Sequence, residues 1–481
     1  LSTYLRIIFS FLPKSTCVQH HNRTERQQKF LEQAEQKAFS SDHRQRLAFN
    51  MGKYHTKVAV GKKQFKDLAR ARQLAKNVKA RVMRELPELL ETFEANFTAR
   101  GGKVIWAEDI PQAQAAITQI IQEKQAQVVV KSKSMITEEI ELNPLLERNG
   151  VEVLETDLGE FIVQVKGEAP YHIVTPAMHL SKEDIADLFH KKFDTAPDAT
   201  PEELTNYVRG VLRERFAQAD IGISGGNFLL ADTGSVVLVE NEGNARLTTT
   251  LPNTHIAIVG IEKMLPSIED LDLFLPLLST FGTGQILTVY NSILSGPRQP
   301  HEVDGPEEMY VILLDNGRSD LLGDADMREA LHCIRCGSCL NNCPVYQTIG
   351  GHTYDSPYSG PIGSVISPHL GLGGFENQTH LSQASSLCGS CTENCPVNIN
   401  LHHLLLYNRA YEEEEGLRPT GEKWSWKLWR QAMLSRPLMN APTWSKNLAG
   451  QYFLSKWWGE RRDFPKFPKQ TFNQLWRAGK I

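Results

Sequence analysis

The chain has 481 residues, room for about three domains, with 41% hydrophobic and 22% charged residues. That balance belongs to an ordinary folded protein and excludes a disordered chain, a collagen-like repeat or a disulfide-stapled mini-protein. The 52 Lys+Arg against 56 Asp+Glu leave a net −4, so the chain as a whole does not advertise nucleic-acid binding, and none is expected.

Residues 1–22 form an atypical arm. Leu1 to Leu12 is mostly apolar and Pro13 and Lys14 follow, without the basic start, longer apolar core and small-residue cleavage site of a signal peptide. An over-extended gene start fits it as well as a genuine arm does, and Cys17 is set apart from the chemistry. Residues 23–100 read as helical, rich in Glu, Gln, Lys, Arg, Ala and Leu with few breakers before Pro87. They hold 18 basic and 9 acidic residues, which suits solvated faces of packed helices; a docking surface for an acidic partner is the sharper alternative.

From 101 to 300 short β-branched runs alternate with helical stretches. Lys103–Ala107, Gln127–Lys131, Val151–Leu154, His172–Thr175, Ser235–Val239 and His255–Val259 are expected strands; Ile110–Lys124 and Ser181–Phe193 are expected helices. The alternation predicts an α/β domain with a largely parallel sheet, whose ligands would sit outside the carboxyl ends of the strands. The uncharged stretch Leu273–Leu294 is long enough to span a bilayer, but Pro276, Gly282 and Gly284 break it into a buried helix, a turn and a strand. Three places in this domain could carry chemistry. Lys131-Ser-Lys-Ser-Met135 follows a strand and could hold a carboxylate or phosphate, or be an exposed basic turn. The glycine pair in Ile223-Ser-Gly-Gly-Asn227 permits close backbone approach to a ligand, or simply turns the chain. Glu240-Asn-Glu-Gly-Asn-Ala-Arg246 follows the strand ending at Val239. No Walker A motif and no dinucleotide fingerprint is present.

Residues 301–324 are expected to be a linker, and 325–410 an iron–sulfur domain. Seven of the eight cysteines fall between Cys333 and Cys395, a clustering unlike a secreted disulfide framework. Cys333-Ile-Arg-Cys336-Gly-Ser-Cys339-Leu-Asn-Asn-Cys343-Pro344 is the C-x2-C-x2-C-x3-C-P run of bacterial ferredoxins, in which the fourth thiolate serves the other cluster. Cys388-Gly-Ser-Cys391-Thr-Glu-Asn-Cys395-Pro396 is a second copy with Ser385 where the first cysteine would stand. The exchange assigns Cys333, Cys336, Cys339 and Cys395 to cluster 1, and Cys343, Cys388 and Cys391 to cluster 2. Cluster 2 is then a [3Fe–4S], or a [4Fe–4S] with a solvent or non-cysteine ligand, Ser385 being the nearest oxygen. Zinc, which wants its ligands in pairs, fits this spacing poorly. Two interlocked clusters suit one-electron relay; substrate binding at an open iron is the catalytic alternative.

Residues 411–481 form a basic, Trp-rich C-terminal segment. From Arg418 onward there are 13 Lys+Arg, 3 Asp+Glu and 7 of the 8 tryptophans. Docking on an acidic subunit is preferred here to a peripheral contact with an anionic membrane.

With Gly350-Gly-His-Thr-Tyr-Asp-Ser-Pro-Tyr-Ser-Gly-Pro-Ile-Gly363 between the two motifs, and the flanks Cys333–Tyr346 and Ser386–Val397, the chain resembles the LutB/YkgF family, the iron–sulfur subunit of the bacterial L-lactate utilization system. The resemblance covers roughly 25–475. It implies a LUD domain, CoA-transferase-like in fold, over the α/β part, behind a helical N-terminal region and ahead of a mainly α-helical two-cluster ferredoxin domain and a C-terminal segment. It implies two [4Fe–4S] clusters on the seven cysteines, no catalytic residue in this chain, and L-lactate oxidation to pyruvate in a complex with LutA-like and LutC-like subunits in the cytoplasm, with at most peripheral contact at the inner face of the membrane. A small-acid ligand in the LUD-like domain is a further expectation. By fold analogy alone, Glu240 or Glu242 is a conceivable catalytic carboxylate. The competing functions are a stand-alone LUD enzyme acting on a small acid or acyl compound with regulatory clusters, and the redox subunit of another 2-hydroxy-acid or glycerol-3-phosphate dehydrogenase.

Overall fold

Local signals in the sequence start each of the first helices. In this computed structural model, which describes residues 23–418, 420–450 and 466–480, the chain opens with α1 (Arg23–Phe39), α2 (Ser41–Gly61), α3 (Leu68–Arg84) and α4 (Leu86–Ala99). Ser40 Oγ accepts the His43 N–H at 3.4 Å and Asp67 Oδ1 the Arg70 N–H at 2.9 Å, so each caps a helix start. Pro87 stands in the first turn of α4, where its missing N–H costs nothing. The arm at 1–22, with Cys17, lies outside the described residues.

The α/β part is built on a fully parallel six-stranded sheet. Its strands are β1 (Lys103–Ala107), β2 (Val128–Lys131), β3 (Glu152–Glu155), β4 (Ile221–Ser224), β7 (Thr254–Gly260) and β10 (Glu308–Leu314), in the order β1-β10-β7-β4-β2-β3. The neighbouring strands β10 and β7 are in register Tyr310↔Ile256 and β2–β4 in register Val129↔Ile221. β7 is buried along its whole length, as expected for a strand covered on both faces. A second sheet, order β8-β5-β6-β9, joins β5 (Phe228–Leu230), β6 (Ser235–Glu240), β8 (Met264–Leu265) and β9 (Tyr290–Leu294). The β5–β6 hairpin turns through Gly234 at φ +57°, where an added Cβ would lie 2.3 Å from the Phe97 amide nitrogen. Only glycine fits there.

Two expectations are corrected here. Segment 301–324 is not a linker: Met309-Tyr-Val-Ile-Leu-Leu314 is a central strand, hidden in the sequence by Pro300, Gly305 and Pro306 and the acids around them. His172–Thr175 is not a strand either. His172 Nδ1 accepts the backbone N–H groups of Val174 (3.0 Å) and Thr175 (3.3 Å), which a sheet ladder would have needed. Ser235–Val239 does form a strand, but in the second, mixed sheet. Leu273–Leu294 divides as its breakers indicate, into the helix Leu271–Thr283, Gly284 at φ +79°, and β9. No helix among the described residues is long and apolar enough to cross a membrane.

From 325 to 410 the described chain forms short helices and 3-10 turns with no strand, ending in the longer helix Leu401–Glu414. One apolar core runs through the N-terminal helices, the second sheet and the cysteine loops, uniting Phe97, Phe228, Phe274, Val365 and Leu404 with Cys336. Each large apolar side chain buried there stabilises by about 1.5–3 kcal/mol, so the cysteine loops share their stability with the α/β part. Separate cores pack helices onto the parallel sheet around Ile117 and Leu146, and around Phe161 and Phe189.

Residues 412–481 form a second compact unit. Its described helices include Thr420–Leu434, Thr443–Ala449 and Phe472–Arg477. Trp424, Trp426, Trp429, Trp444 and Trp476 are all more than half exposed, and Lys427 Nζ sits 5.5 Å from the Trp424 ring centre. Trp457 and Trp458 lie outside the described residues.

Candidate iron–sulfur centre

The two cysteine motifs fold alike. Arg335 (φ +60°), Cys336, Gly337 (φ +79°) lead into the four-residue helix Ser338–Asn341. Leu387 (φ +54°), Cys388, Gly389 (φ +82°) lead into Ser390–Glu393. The left-handed glycine lets each chain reverse so that two cysteines three residues apart face the same side. At the start of each motif the backbone N–H two residues on turns back onto the side chain: Arg335 N–H donates to Cys333 Sγ at 3.4 Å, and Leu387 N–H to Ser385 Oγ at 3.1 Å.

Electrostatics sort the thiols into two groups. Burial, then Cys395 and Cys333, pushes the Cys336 thiol well above its ordinary value. Burial, then Cys333 and Cys336, does the same to Cys339, and burial with the nearby Cys333 raises Cys395 to about 12. Cys391 is lifted to about 11 by burial, then Cys343 and Cys388; burial, with Cys388, raises Cys343. Cys395, from the second motif, thus lies among the cysteines of the first, and Cys343 lies with Cys388 and Cys391. Between the groups, Cys391 adds to the rise at Cys339. All are buried except the partly covered Cys333 and the exposed Cys388.

This donor set asks for a cationic, multi-iron occupant. Buried thiols that repel one another stay protonated unless positive charge joins them. The two C-x2-C loops suit an iron–sulfur cluster whose irons each take one thiolate. Further N–H donors meet the sulfurs: Tyr346 donates to Cys343 at 3.5 Å and Ile399 to Cys395 at 3.3 Å, contacts of the kind that tune a cluster's potential.

Cations from the N-terminal helices complete the centre. Arg72 donates to the carbonyls of Cys395 (2.8 Å) and Thr392 (3.3 Å), Lys76 to Glu329 (2.5 Å) and the Asn398 carbonyl (3.2 Å), and Lys62 to Asn394 Oδ1 (3.2 Å). Buried Lys79 donates to the carbonyls of Glu262 (2.6 Å) and Met264 (3.3 Å). The basic excess of 23–100 is therefore not all on solvent-facing or partner-facing surfaces. Part of it faces inward, and the spacing of Arg72, Lys76 and Lys79 along one face of α3 was the available signal.

Comparison with known proteins is decisive at this point. The LUD domain family matches residues 90–314 and the 4Fe-4S dicluster domain family matches 329–399. Lactate utilization protein B of Bacillus pumilus is 43% identical over 419 residues, 84% of this chain and 88% of that one. Its counterpart from Bacillus subtilis is 44% identical over 414 residues (83% and 86%), and that from Geobacillus kaustophilus 44% over 423 (85% and 88%). The chain belongs to the lactate utilization protein B family. A crystal structure of a duf162 family protein from Deinococcus radiodurans covers 48% of this chain and 98% of its own at 14% identity, with a TM-score of 0.25, too distant to argue from. The LUD match begins in α4 and ends with β10, which ties the strand within the former linker to the LUD domain.

The three sequence-selected places in the LUD domain of this family member separate on inspection. Lys131 is wholly buried and spent on Glu155 (2.7 Å), Glu138 (3.0 Å) and Thr137 (2.8 Å). Lys133 remains at a cavity wall, donating to the Val174 carbonyl at 2.8 Å, with Asp157 at 3.8 Å. Gly225 and Gly226 pack tightly: a Cβ on Gly225 would lie 2.3 Å from Ser134 Oγ, and one on Gly226 2.8 Å from Val259. Glu240 accepts the N–H groups of Ala245 (2.7 Å) and Arg246 (2.8 Å), so its carboxylate caps the helix Asn244–Thr250. Glu242 lines a cavity of about 370 Å³ that reaches Cys336; burial, then Asp157, raises its carboxyl.

Proposed function

We propose that this chain is the electron-transfer subunit of an assembly that oxidises L-lactate to pyruvate, working with LutA-like and LutC-like subunits. The observation that carries the reading is the interlocking of the two cysteine motifs, with Cys395 among the cysteines of the first motif and Cys343 with those of the second. The names of the relatives supply the substrate. In this reading Cys333, Cys336, Cys339 and Cys395 hold cluster 1, and Cys343, Cys388 and Cys391 hold cluster 2. Both are [4Fe–4S], with Ser385 Oγ at the fourth corner of cluster 2.

When bound, the clusters supply one-electron storage and relay; the residues of the chain set the conditions. Oxidation of L-lactate to pyruvate releases two electrons and two protons, and two one-electron centres match the electron count. The apolar core around Cys336 and Cys339 excludes water, backbone N–H groups brace the sulfurs, and Arg72 and its helix neighbours offset negative charge. No side chain of this chain is assigned to take the substrate's protons. Glu240, held in its capping role, argues against an acyl-transfer carboxylate there, so the CoA-transferase-like likeness is kept as one of fold alone.

The assembly is placed in the cytoplasm. The exposed tryptophans and cations of 412–481 make a docking surface for an acidic partner subunit, and any membrane contact is peripheral. Protein purified without oxygen should contain about eight irons and give coupled EPR signals only after dithionite. It should not reduce a dye with L-lactate until the partner subunits are added. Absence of iron, or lactate turnover by this chain alone, would overturn the reading.

A further inference from the structure

The strand order of the parallel sheet creates a crevice that the electron-transfer reading does not use. From β2 the chain moves outward to the edge strand β3, and from β4 it moves the opposite way to β7 and then β10. Where neighbouring strands send their connections in opposite directions, the loops beyond their carboxyl ends part and leave room for a ligand. Here the parting loops are Lys133–Met135 after β2 and Gly225–Asn227 after β4, and a cavity of about 140 Å³ lies between them. That is the space of roughly four or five waters, enough for a three- or four-carbon acid.

The chemistry of its walls is cationic. Lys133, Lys263, Arg318 and Arg335 line it against one carboxylate, Glu262. Arg318 is already matched, at 2.8 Å from Glu139 and 2.7 Å from Glu262. Arg335 reaches Glu262 only at 3.4 Å, and its Nε and Nη1 are buried without a hydrogen-bond partner. Lys263 makes no ion pair among the described residues. Charge left uncompensated in a largely buried place is costly, and an anion in the crevice would relieve it. Arg335 lies between the ligands Cys333 and Cys336, and it also lines the larger cavity that opens onto Cys336.

We infer that this crevice binds a small carboxylate, held by Lys263 and Arg335 against the glycine turn, beside the loop that carries Cys333 and Cys336. The inference rests on the proposed function for its neighbour, the cluster, and on the fold for its site. It assigns to the glycine pair a role in shaping the floor of the crevice, since Gly225 lets the backbone come close to Ser134.

Calorimetric titration of the anaerobically purified full chain with pyruvate, L-lactate and inorganic phosphate tests it, alongside Lys263→Gln and Gly225→Ala. Iron content is counted on every sample. Saturable binding of pyruvate or L-lactate, weakened about tenfold or more by Lys263→Gln, as expected for a lost hydrogen bond to a charged group, and weakened also by Gly225→Ala at unchanged iron, is the expected result. Binding of phosphate alone would overturn the carboxylate class. No saturable binding by iron-replete protein, with Lys263→Gln altering only the cluster 1 EPR signal, would assign the cations to the cluster and overturn the site. Iron-free wild-type protein that still binds pyruvate would instead sink the cluster reading and leave the crevice standing.

Discussion

Ser385 stands in the second motif where Cys333 stands in the first, each three residues ahead of a C-G-S-C loop. Each accepts an N–H from the residue two further on, at 3.1 Å from Leu387 and 3.4 Å from Arg335. The shared left-handed residue before the next cysteine, Leu387 or Arg335, shows that the whole turn is repeated. An oxygen is thereby offered at the position of the missing thiolate.

Substitution at this position should read out in the iron. Ser385→Ala is expected to yield about seven irons and an EPR signal in the oxidised protein. Ser385→Cys should retain about eight and hold them longer in air. Equal iron content and identical spectra in all three proteins would mean that Ser385 is not a ligand.

Arg72 links the second motif to α3 through two backbone carbonyls. Arg72→Gln should lower stability by about 1.5–3 kcal/mol, the range for hydrogen bonds to a charged group, measured by urea unfolding without oxygen. It should also make cluster 1 harder to reduce, because a nearby positive charge is lost. An unchanged potential in an EPR-monitored redox titration would show that Arg72 acts on the loop alone.

The two motif glycines should differ in tolerance. Both have positive φ, so alanine strains either backbone by about 1–2 kcal/mol. At Gly337 the new Cβ would also meet Ile173 and Val174 at 3.0 Å, whereas at Gly389 nothing lies within 4 Å. Gly337→Ala should therefore lose more stability and more iron than Gly389→Ala. The reverse order would contradict the packing described here.

The buried triad Glu139–Arg318–Glu262 gives a pH-dependent test. Burial alone would raise Glu262, but Arg318, Arg335 and Lys263 outweigh it and hold its carboxyl at about 2. Burial is likewise outweighed at Glu139, chiefly by Arg318, and its carboxyl sits below the ordinary value. A depressed carboxylate contributes stability that is present above its unfolded pKa and lost as pH falls through the folded one. Arg318→Met should cost about 3–5 kcal/mol at pH 7, because Glu139 loses its ion-pair partner while Glu262 keeps Arg335 at 3.4 Å. Burial would then raise the Glu139 carboxyl above its ordinary value, so the deficit should narrow as pH falls from 7 toward 4.5. A deficit constant over that range in denaturant melts would show that the triad is not ionised as drawn.

What the sequence by itself determined is local. Helix caps at Ser40 and Asp67, the break of Leu273–Leu294 at its glycine turn, and the spacing of the cysteines all act within a few residues, where propensity and sterics are strong. The clustering of seven cysteines and the repeat of the C-G-S-C turn were readable for the same reason. The tertiary structure alone decided the rest. β10 looked like a linker because its place between β1 and β7 depends on partners more than 45 residues away. His172–Thr175 looked like a strand until the His172 ring took its N–H groups. Arg72 and Lys79 looked like solvent-facing charge, and Glu240 a possible nucleophile, until packing gave each a backbone partner. The crevice gathers Lys133, Gly225, Lys263 and Arg335 from four separate segments of the chain. No local pattern encodes such a meeting, because it depends on the order in which parallel strands are laid into one sheet.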